Sequence, residues 1–227
     1  MKNAIELFHG SQCIIDDPMY GKGSPFNDYG LGFYCTKEVE LAMEWACPRR
    51  NDGFANRYLL DMAGLDVLDL FDTNHNILNW LAILLENRTF DLSTSIAKEA
   101  RTYLISNFLP DYKSSDVIVG YRADDSYFSF AKAFVNNAIS LDTLSKAMRL
   151  GKLGIQICLK SEASFERLVF VEAIPADGEE YYIKRNSRDR RARTEYLELL
   201  GNENSREAVY MLDILRQNWR NDDERLR

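Results

Sequence analysis

Apolar positions along the chain fall into short runs, alternating runs and helical stripes, and each pattern predicts a different element. Ala4-Ile5-Glu6-Leu7-Phe8-His9 has the apolar density of a strand and ends at Gly10-Ser11. The stretch that follows is rich in turn formers, including Asp16, Asp17, Pro18, Gly21, Gly23, Pro25, Asn27, Asp28 and Gly30, and predicts a loop. Leu31 to Cys35 is a short apolar run. Thr36 is then placed to N-cap a helix carrying Val39, Leu41, Ala42, Trp45 and Ala46, which stops before Pro48. Residues 57–60 and 67–70 read as two strands around a turn at Gly64.

The middle of the chain is helical in period: Ile77, Leu78, Trp80, Leu81, Leu84 and Leu85 form one stripe, and Ile96, Ala100, Tyr103 and Leu104 a second. Residues 116–120 form a buried-strand pattern, 126–137 and 140–150 a helical pair, and 154–159 and 168–173 two further strands. From Tyr181 to the end the sequence reads as charge-laced helix. Helices are clustered rather than alternating with strands, which predicts an α+β fold with a mixed or antiparallel sheet. No G-x-G-x-x-G opens a helix after a strand, which disfavours a Rossmann unit.

Charge divides the chain into two parts. Of 227 residues, 28 are Lys or Arg and 35 are Asp or Glu, a net charge of −7. Residues 178–227 hold 11 basic and 11 acidic residues, so residues 1–177 carry the whole −7. The predicted organisation is therefore a body over 1–177, with a helical insert at about 75–110, and a charged helical extension over 178–227. A net negative chain lacks the cation surplus of a general nucleic-acid binder. No apolar run reaches the roughly eighteen residues of a membrane span, and the N-terminus lacks a signal-peptide core, so a cytoplasmic protein with no membrane partner is expected. Cys13, Cys35, Cys47 and Cys158 form no Cys-x-x-Cys, so reduced thiols are expected, with no metal site. A Cys35/His75 nucleophilic pair is conceivable, but no signature supports it.

Two short motifs carry the candidate chemistry. Phe8-His9-Gly10-Ser11 places a histidine at a strand end, beside a glycine that permits close approach to the backbone. Tyr29-Gly30-Leu31-Gly32-Phe33-Tyr34-Cys35-Thr36 combines two glycines with an aromatic ring ahead of a helix. Each alone reads equally as ordinary turn or core. Together, His-Gly at a first strand and Gly-x-Gly-x-Tyr before a helix resemble the ADP-ribosyltransferase superfamily. The chain is most similar to a bacterial group placed with it, the domain of unknown function 3990 family. The resemblance continues through residues 67–70, 79–82, 120–128 and 156–162 and reaches Tyr181-Tyr182 and Arg188-Asp189.

The resemblance implies a split β-sheet core with a helical insert and C-terminal helices. It also implies NAD as substrate, with no metal. Gly10 would bind the nicotinamide carboxamide through its backbone, His9 the adenosine ribose, and Ser11 a ribose hydroxyl. Gly32 would let the backbone come close, and Tyr34 would stack on the nicotinamide. Gln156 falls where the superfamily carries a catalytic glutamate; it can hydrogen-bond the nicotinamide ribose but cannot accept a proton. Glu162, six residues on, is a second candidate acid or else a helix-start residue after Ser161. Arg122 could hold the pyrophosphate, and Asp124 or Asp125 could supply an acid or cap the following helix.

The implied activity is mono-ADP-ribosyl transfer to a protein or nucleic-acid acceptor, or NAD hydrolysis, in a toxin or effector with a small neutralising protein partner. The alternative is an NAD-binding or interaction module without turnover. Lys184 to Arg193 holds six cations in ten residues and reads as a contact for an acidic partner or RNA, or as a solvated helix face paired with Glu179, Glu180, Glu195 and Glu198.

Overall fold

Strand β1 (Ala4–Ser11) serves two separate apolar layers. Leu7 joins Cys35, Leu60, Val117, Ile157 and Leu159 on one side, and Phe8 joins Ala42, Met43 and Ala46 on the other. Successive strand side chains face opposite ways, so the alternation at positions 7 and 8 places β1 between two packed layers. The computed structural model describes residues 3–89, 91–123, 125–150, 154–201 and 208–226.

After β1 come β2 (Phe33–Cys35), α1 (Val39–Ala46), β3 (Gly53–Asp61), β4 (Val67–Asp69), α2 (Ile77–Asn87) and α3 (Ser95–Phe108). The chain continues with β5 (Val117–Tyr121), α4 (Asp125–Val135), α5 (Leu141–Ala147), β6 (Ile155–Leu159), α6 (Glu162–Glu166) and β7 (Leu168–Ala176). Helices α7 (Gly178–Gly201) and α8 (Met211–Arg216) and a 3-10 turn at Glu224–Leu226 complete the described chain.

The strands form two sheets. One has the order β1-β3-β7 and is antiparallel throughout; the other has the order β2-β6-β5-β4, with only β4 and β5 parallel. The fold is therefore α+β, as the clustered helices predict. The sheets pack face to face through the Leu7 layer and are tied at one edge by a bridge between Phe8 and Thr36. Helix α1 covers the outer face of the first sheet, and the large core of α2, α3, α4, α5 and α8 covers the second. No helix among the described residues is long and apolar enough to cross a membrane.

Helix α2 is buried on nearly every side from Leu78 to Leu85. Its start is fixed by a reciprocal cap: Asn76 Oδ1 accepts from Leu78 N, and Asn79 Oδ1 accepts from Asn76 N (2.9 and 2.7 Å). Two local expectations change. Thr36 does not cap α1; the cap position is Glu38, and the Thr36 hydroxyl accepts the Glu38 N–H at 3.2 Å in a tight local turn. The tail is not continuous helix, because residues 208–210 are non-helical and Tyr210 is the cap of α8. Residues 202–207 lie outside the described residues.

Candidate functional site

A cavity of about 340 Å³ opens where the end of β1, the loop before β2 and the segment after β5 meet. His9 and Tyr34 line it from β1 and β2, and Gln156 from β6. Arg122 and Ala123 follow β5, Arg88 caps the end of α2, Asn27 and Asp28 come from the loop, and Arg185 comes from α7. Its volume falls within the range of small-molecule sites. A larger cleft of about 1090 Å³ lies beside residues 70–77 and the C-terminal segment, but holds none of the predicted NAD-site residues. The smaller cavity is therefore the candidate site.

His9 is held with one defined face. Its Nδ1 lies 2.7 Å from the Tyr34 carbonyl, and its ring stacks on Phe33 at 4.3 Å. A carbonyl can only accept, so Nδ1 carries the proton. Burial lowers the His9 pKa below the usual imidazole value, against the weaker opposite effect of the Tyr34 carbonyl. The ring is thus neutral near pH 7, and its Nε2 is left as an acceptor suited to a ligand hydroxyl.

Tyr34 offers the cavity a ring, not a proton. Its hydroxyl donates to the Gly30 carbonyl and accepts the Tyr29 N–H at 3.2 Å. Burial raises the phenol far above its ordinary pKa. Those two bonds close the 29–34 turn on itself and leave the aromatic face as the usable surface.

Asp28 is the one carboxylate among the described cavity-lining residues, and it is nearly inaccessible to solvent (5% exposed). Oδ1 accepts from Arg88 and Oδ2 from the Ala123 N–H, both at 2.8 Å. Burial raises its pKa, opposed by the Ala123 N–H and by the charges of Arg88 and Arg122. Arg88 also lies over the Phe128 ring at 4.8 Å. This cluster ties the end of α2 to the loop and to the segment after β5.

Gln156 pairs with Gly120 across β6 and β5 and is 7% exposed. Its Oε1 is buried with no hydrogen-bond partner. A buried carbonyl without a donor costs about 1–3 kcal/mol. Among the cavity walls this is the atom that most needs a ligand.

The remaining predicted residues sit outside the cavity wall. A Cβ on Gly10 would lie 2.0 Å from the Ala42 carbonyl oxygen, so this glycine lets β1 pack directly on the α1 backbone. Phe8 exchanges both backbone hydrogen bonds with Thr36 (2.8 and 2.9 Å). Strand alternation therefore turns the Gly10 N–H and C=O toward that same edge. A Cβ on Gly32 would lie 2.4 Å from Cys158 Sγ and 2.8 Å from the Leu159 carbonyl oxygen, so Gly32 seats the loop on β6. The Ser11 hydroxyl accepts the Cys13 N–H at 3.1 Å.

Glu162 is exposed at the first position of α6, whose cap is Ser161, and is not brought to the cavity. Asp125 opens α4, and Asp124 lies outside the described residues. Cys35 is buried between the sheets with its thiol pKa well above normal, while His75 borders the larger cleft, so the two form no pair.

Asp28, Arg88 and Arg185 reach the cavity without having stood out in the sequence. Arg185 comes from the 184–193 stretch, whose first half is fastened to α1 while Arg190, Arg191 and Arg193 are exposed. Lys184 pairs with Glu40 at 2.9 Å and Arg188 with the buried Glu44 at 2.8 Å.

The chain is a two-sheet α+β protein in which a half-buried histidine, an aromatic ring and three arginines surround a small cavity. Residues 5–170 match the family model described as "Protein of unknown function (DUF3990)", and the chain belongs to that family. No curated protein and no solved structure matches it significantly.

Proposed function

We propose that the cavity binds NAD and that the protein cleaves the nicotinamide–ribose bond on an ADP-ribosyltransferase-like architecture. The observation that carries this reading is the meeting of His9, Tyr34 and Gln156, which lie far apart in sequence, on the walls of one cavity. In this reading the neutral His9 accepts a ribose hydroxyl at Nε2, and the Tyr34 ring lies against the nicotinamide. The outward Gly10 amide takes the carboxamide, and Arg122 faces the pyrophosphate. Gln156 would bond the nicotinamide ribose through its amide.

Breaking the C1′–N bond leaves the electron pair on nicotinamide, which becomes neutral, and a positive oxocarbenium-like ribose. A lone pair from water or an acceptor then closes on C1′, and the acceptor loses its proton. Placement and hydrogen bonding supply the assistance, without a metal. A protein or nucleic-acid acceptor, a cytoplasmic toxin or effector role and a small neutralising partner belong to the same proposal.

A second reading is an NAD-binding module without turnover. It is favoured by Gln156, which cannot take the acceptor proton, and by the Tyr34 hydroxyl, which is committed to its own loop. Incubation with NAD followed by nicotinamide quantification separates the two. Release by the wild type that falls in His9→Ala and Tyr34→Ala supports the enzyme. Binding by calorimetry without release supports the module, and neither binding nor release removes both.

A further inference from the structure

The turn that presents Tyr34 to the cavity is held from β6 by a side chain outside the cavity wall. Lys160 follows β6 directly, and its N–H continues the pairing with β5 by donating to the Asp116 carbonyl at 2.8 Å. Strand alternation puts residues 156, 158 and 160 on one face. From that face Gln156 lines the cavity, and Cys158 pairs with Tyr34 across β2 and lies against Gly32. Lys160 reaches the turn itself. Its Nζ donates to the Tyr29 carbonyl at 2.6 Å and to the Leu31 carbonyl at 3.1 Å. The carbonyl between them, that of Gly30, accepts from the Tyr34 hydroxyl. Three successive carbonyls are thus taken by two side chains.

The fit around this turn is close. Gly30 has φ +76°, and a Cβ on it would lie 2.6 Å from Asn87 Oδ1 and 3.7 Å from Lys160 Nζ. The turn is wedged between Lys160 and the end of α2, in a conformation that suits glycine. Lys160 Nζ also lies over the Tyr112 ring at 5.5 Å. Burial lowers the pKa of this ammonium below the ordinary lysine value, and Lys113 adds to the shift. Half-burying a charge costs free energy unless it is hydrogen-bonded, and the two carbonyls supply those bonds.

We infer that Lys160 is a positioning residue of the cavity: it latches the Gly30 turn onto β6 and so fixes the Tyr34 ring relative to Gln156. The inference rests on the NAD reading only for the ligand that the ring meets; the latch stands on the contacts of Lys160.

Hydrogen exchange and NAD calorimetry on Lys160→Met, Lys160→Gln and Lys160→Arg test it. Methionine keeps the stem and loses the donors, glutamine keeps a neutral donor, and arginine keeps charge and a fork of donors. The Tyr29 and Gly30 amides donate to the Tyr34 hydroxyl and the Asn27 carbonyl. In Lys160→Met they should exchange about tenfold faster, with the amides of 117–121 and 155–159 unchanged. NAD affinity should fall about tenfold in the same variant, with Lys160→Gln intermediate and Lys160→Arg nearest the wild type. If Lys160→Met does not fold, the other two carry the same comparison. Lys160→Met should add little to the loss caused by Tyr34→Ala, because the lysine acts through that ring; a general support of the fold would add in full. Wild-type exchange at 29–30 in both Lys160→Met and Lys160→Gln overturns the inference. So does full additivity with Tyr34→Ala, or faster exchange spread over 117–121 and 155–159. A wild type that binds no NAD removes the NAD reading, and the exchange series then decides the latch by itself.

Discussion

Replacing Gln156 by methionine sets stability against function at a single atom. The Gln156 Oε1 is buried without a donor, on a side chain 7% exposed, in a strand whose backbone is paired on both sides by β2 and β5. Methionine has a similar length and volume and carries no polar atom that demands a partner. The backbone ladder is untouched. Removing an unsatisfied buried carbonyl should recover about 1–2 kcal/mol, the lower part of the penalty range, because the cavity admits some solvent. For a chain of this size that corresponds to a rise in melting temperature of roughly 2–8 °C.

Thermal or urea unfolding without ligand measures the first effect, and NAD calorimetry the second. The variant should be more stable than the wild type and bind NAD at least tenfold more weakly. A melting temperature that is unchanged or lower would show that Oε1 is already satisfied, and the argument that this atom awaits a ligand would then fail. Unchanged NAD affinity would remove Gln156 from the binding surface.

Other substitutions probe the remaining walls. Gln156→Glu restores an acid at the position and should raise nicotinamide release above wild type while lowering the melting temperature, since a carboxylate replaces a buried neutral amide; unchanged release under saturating NAD would count against the enzymatic reading. Gly10→Ala drives a methyl into the α1 backbone at 2.0 Å from the Ala42 oxygen and should cost about 2–3 kcal/mol in urea unfolding. Asp28→Ala leaves the Ala123 N–H unpaired and Arg88 without its counter-charge, so a loss of about 3 kcal/mol and faster proteolysis of the 12–31 loop are expected. His9 has a lowered folded pKa, so the unfolded chain takes up the proton first; stability is full above 6.5 and declines as pH falls from there through the depressed folded value. A pH series of melting temperatures should show that decline flattened in His9→Gln.

Much of this arrangement was legible from pattern. Apolar density at 4–9 and the helical stripe at 77–85 identified β1 and α2. The ends were less legible. Turn chemistry at Thr36 mimics a cap, and β3 extends back to Gly53 through residues with weak strand character, held by pairing on both sides. The same limit applies to the site. His9, Tyr34, Arg122 and Gln156 belong to motifs that a reader can find, and they line the cavity. Asp28 sits in a loop of turn formers and reads as one of them. Arg185 lies in a run of charges that pattern alone assigns to solvent. Their roles depend on which distant element they fold against, which a local window does not contain.

The order of the cavity walls along the chain has a consequence for synthesis. A chain emerging from the ribosome presents residue 9 early and residue 185 late, and the cavity wall closes only when α7 folds back on α1. Until then the groove beside β1 and β2 has Arg88 and Arg122 on its walls but lacks Arg185. A nascent or prematurely terminated product can therefore carry the histidine and tyrosine and still lack one wall of the cavity. Completion of the cavity becomes a late event in the life of each molecule, timed by translation.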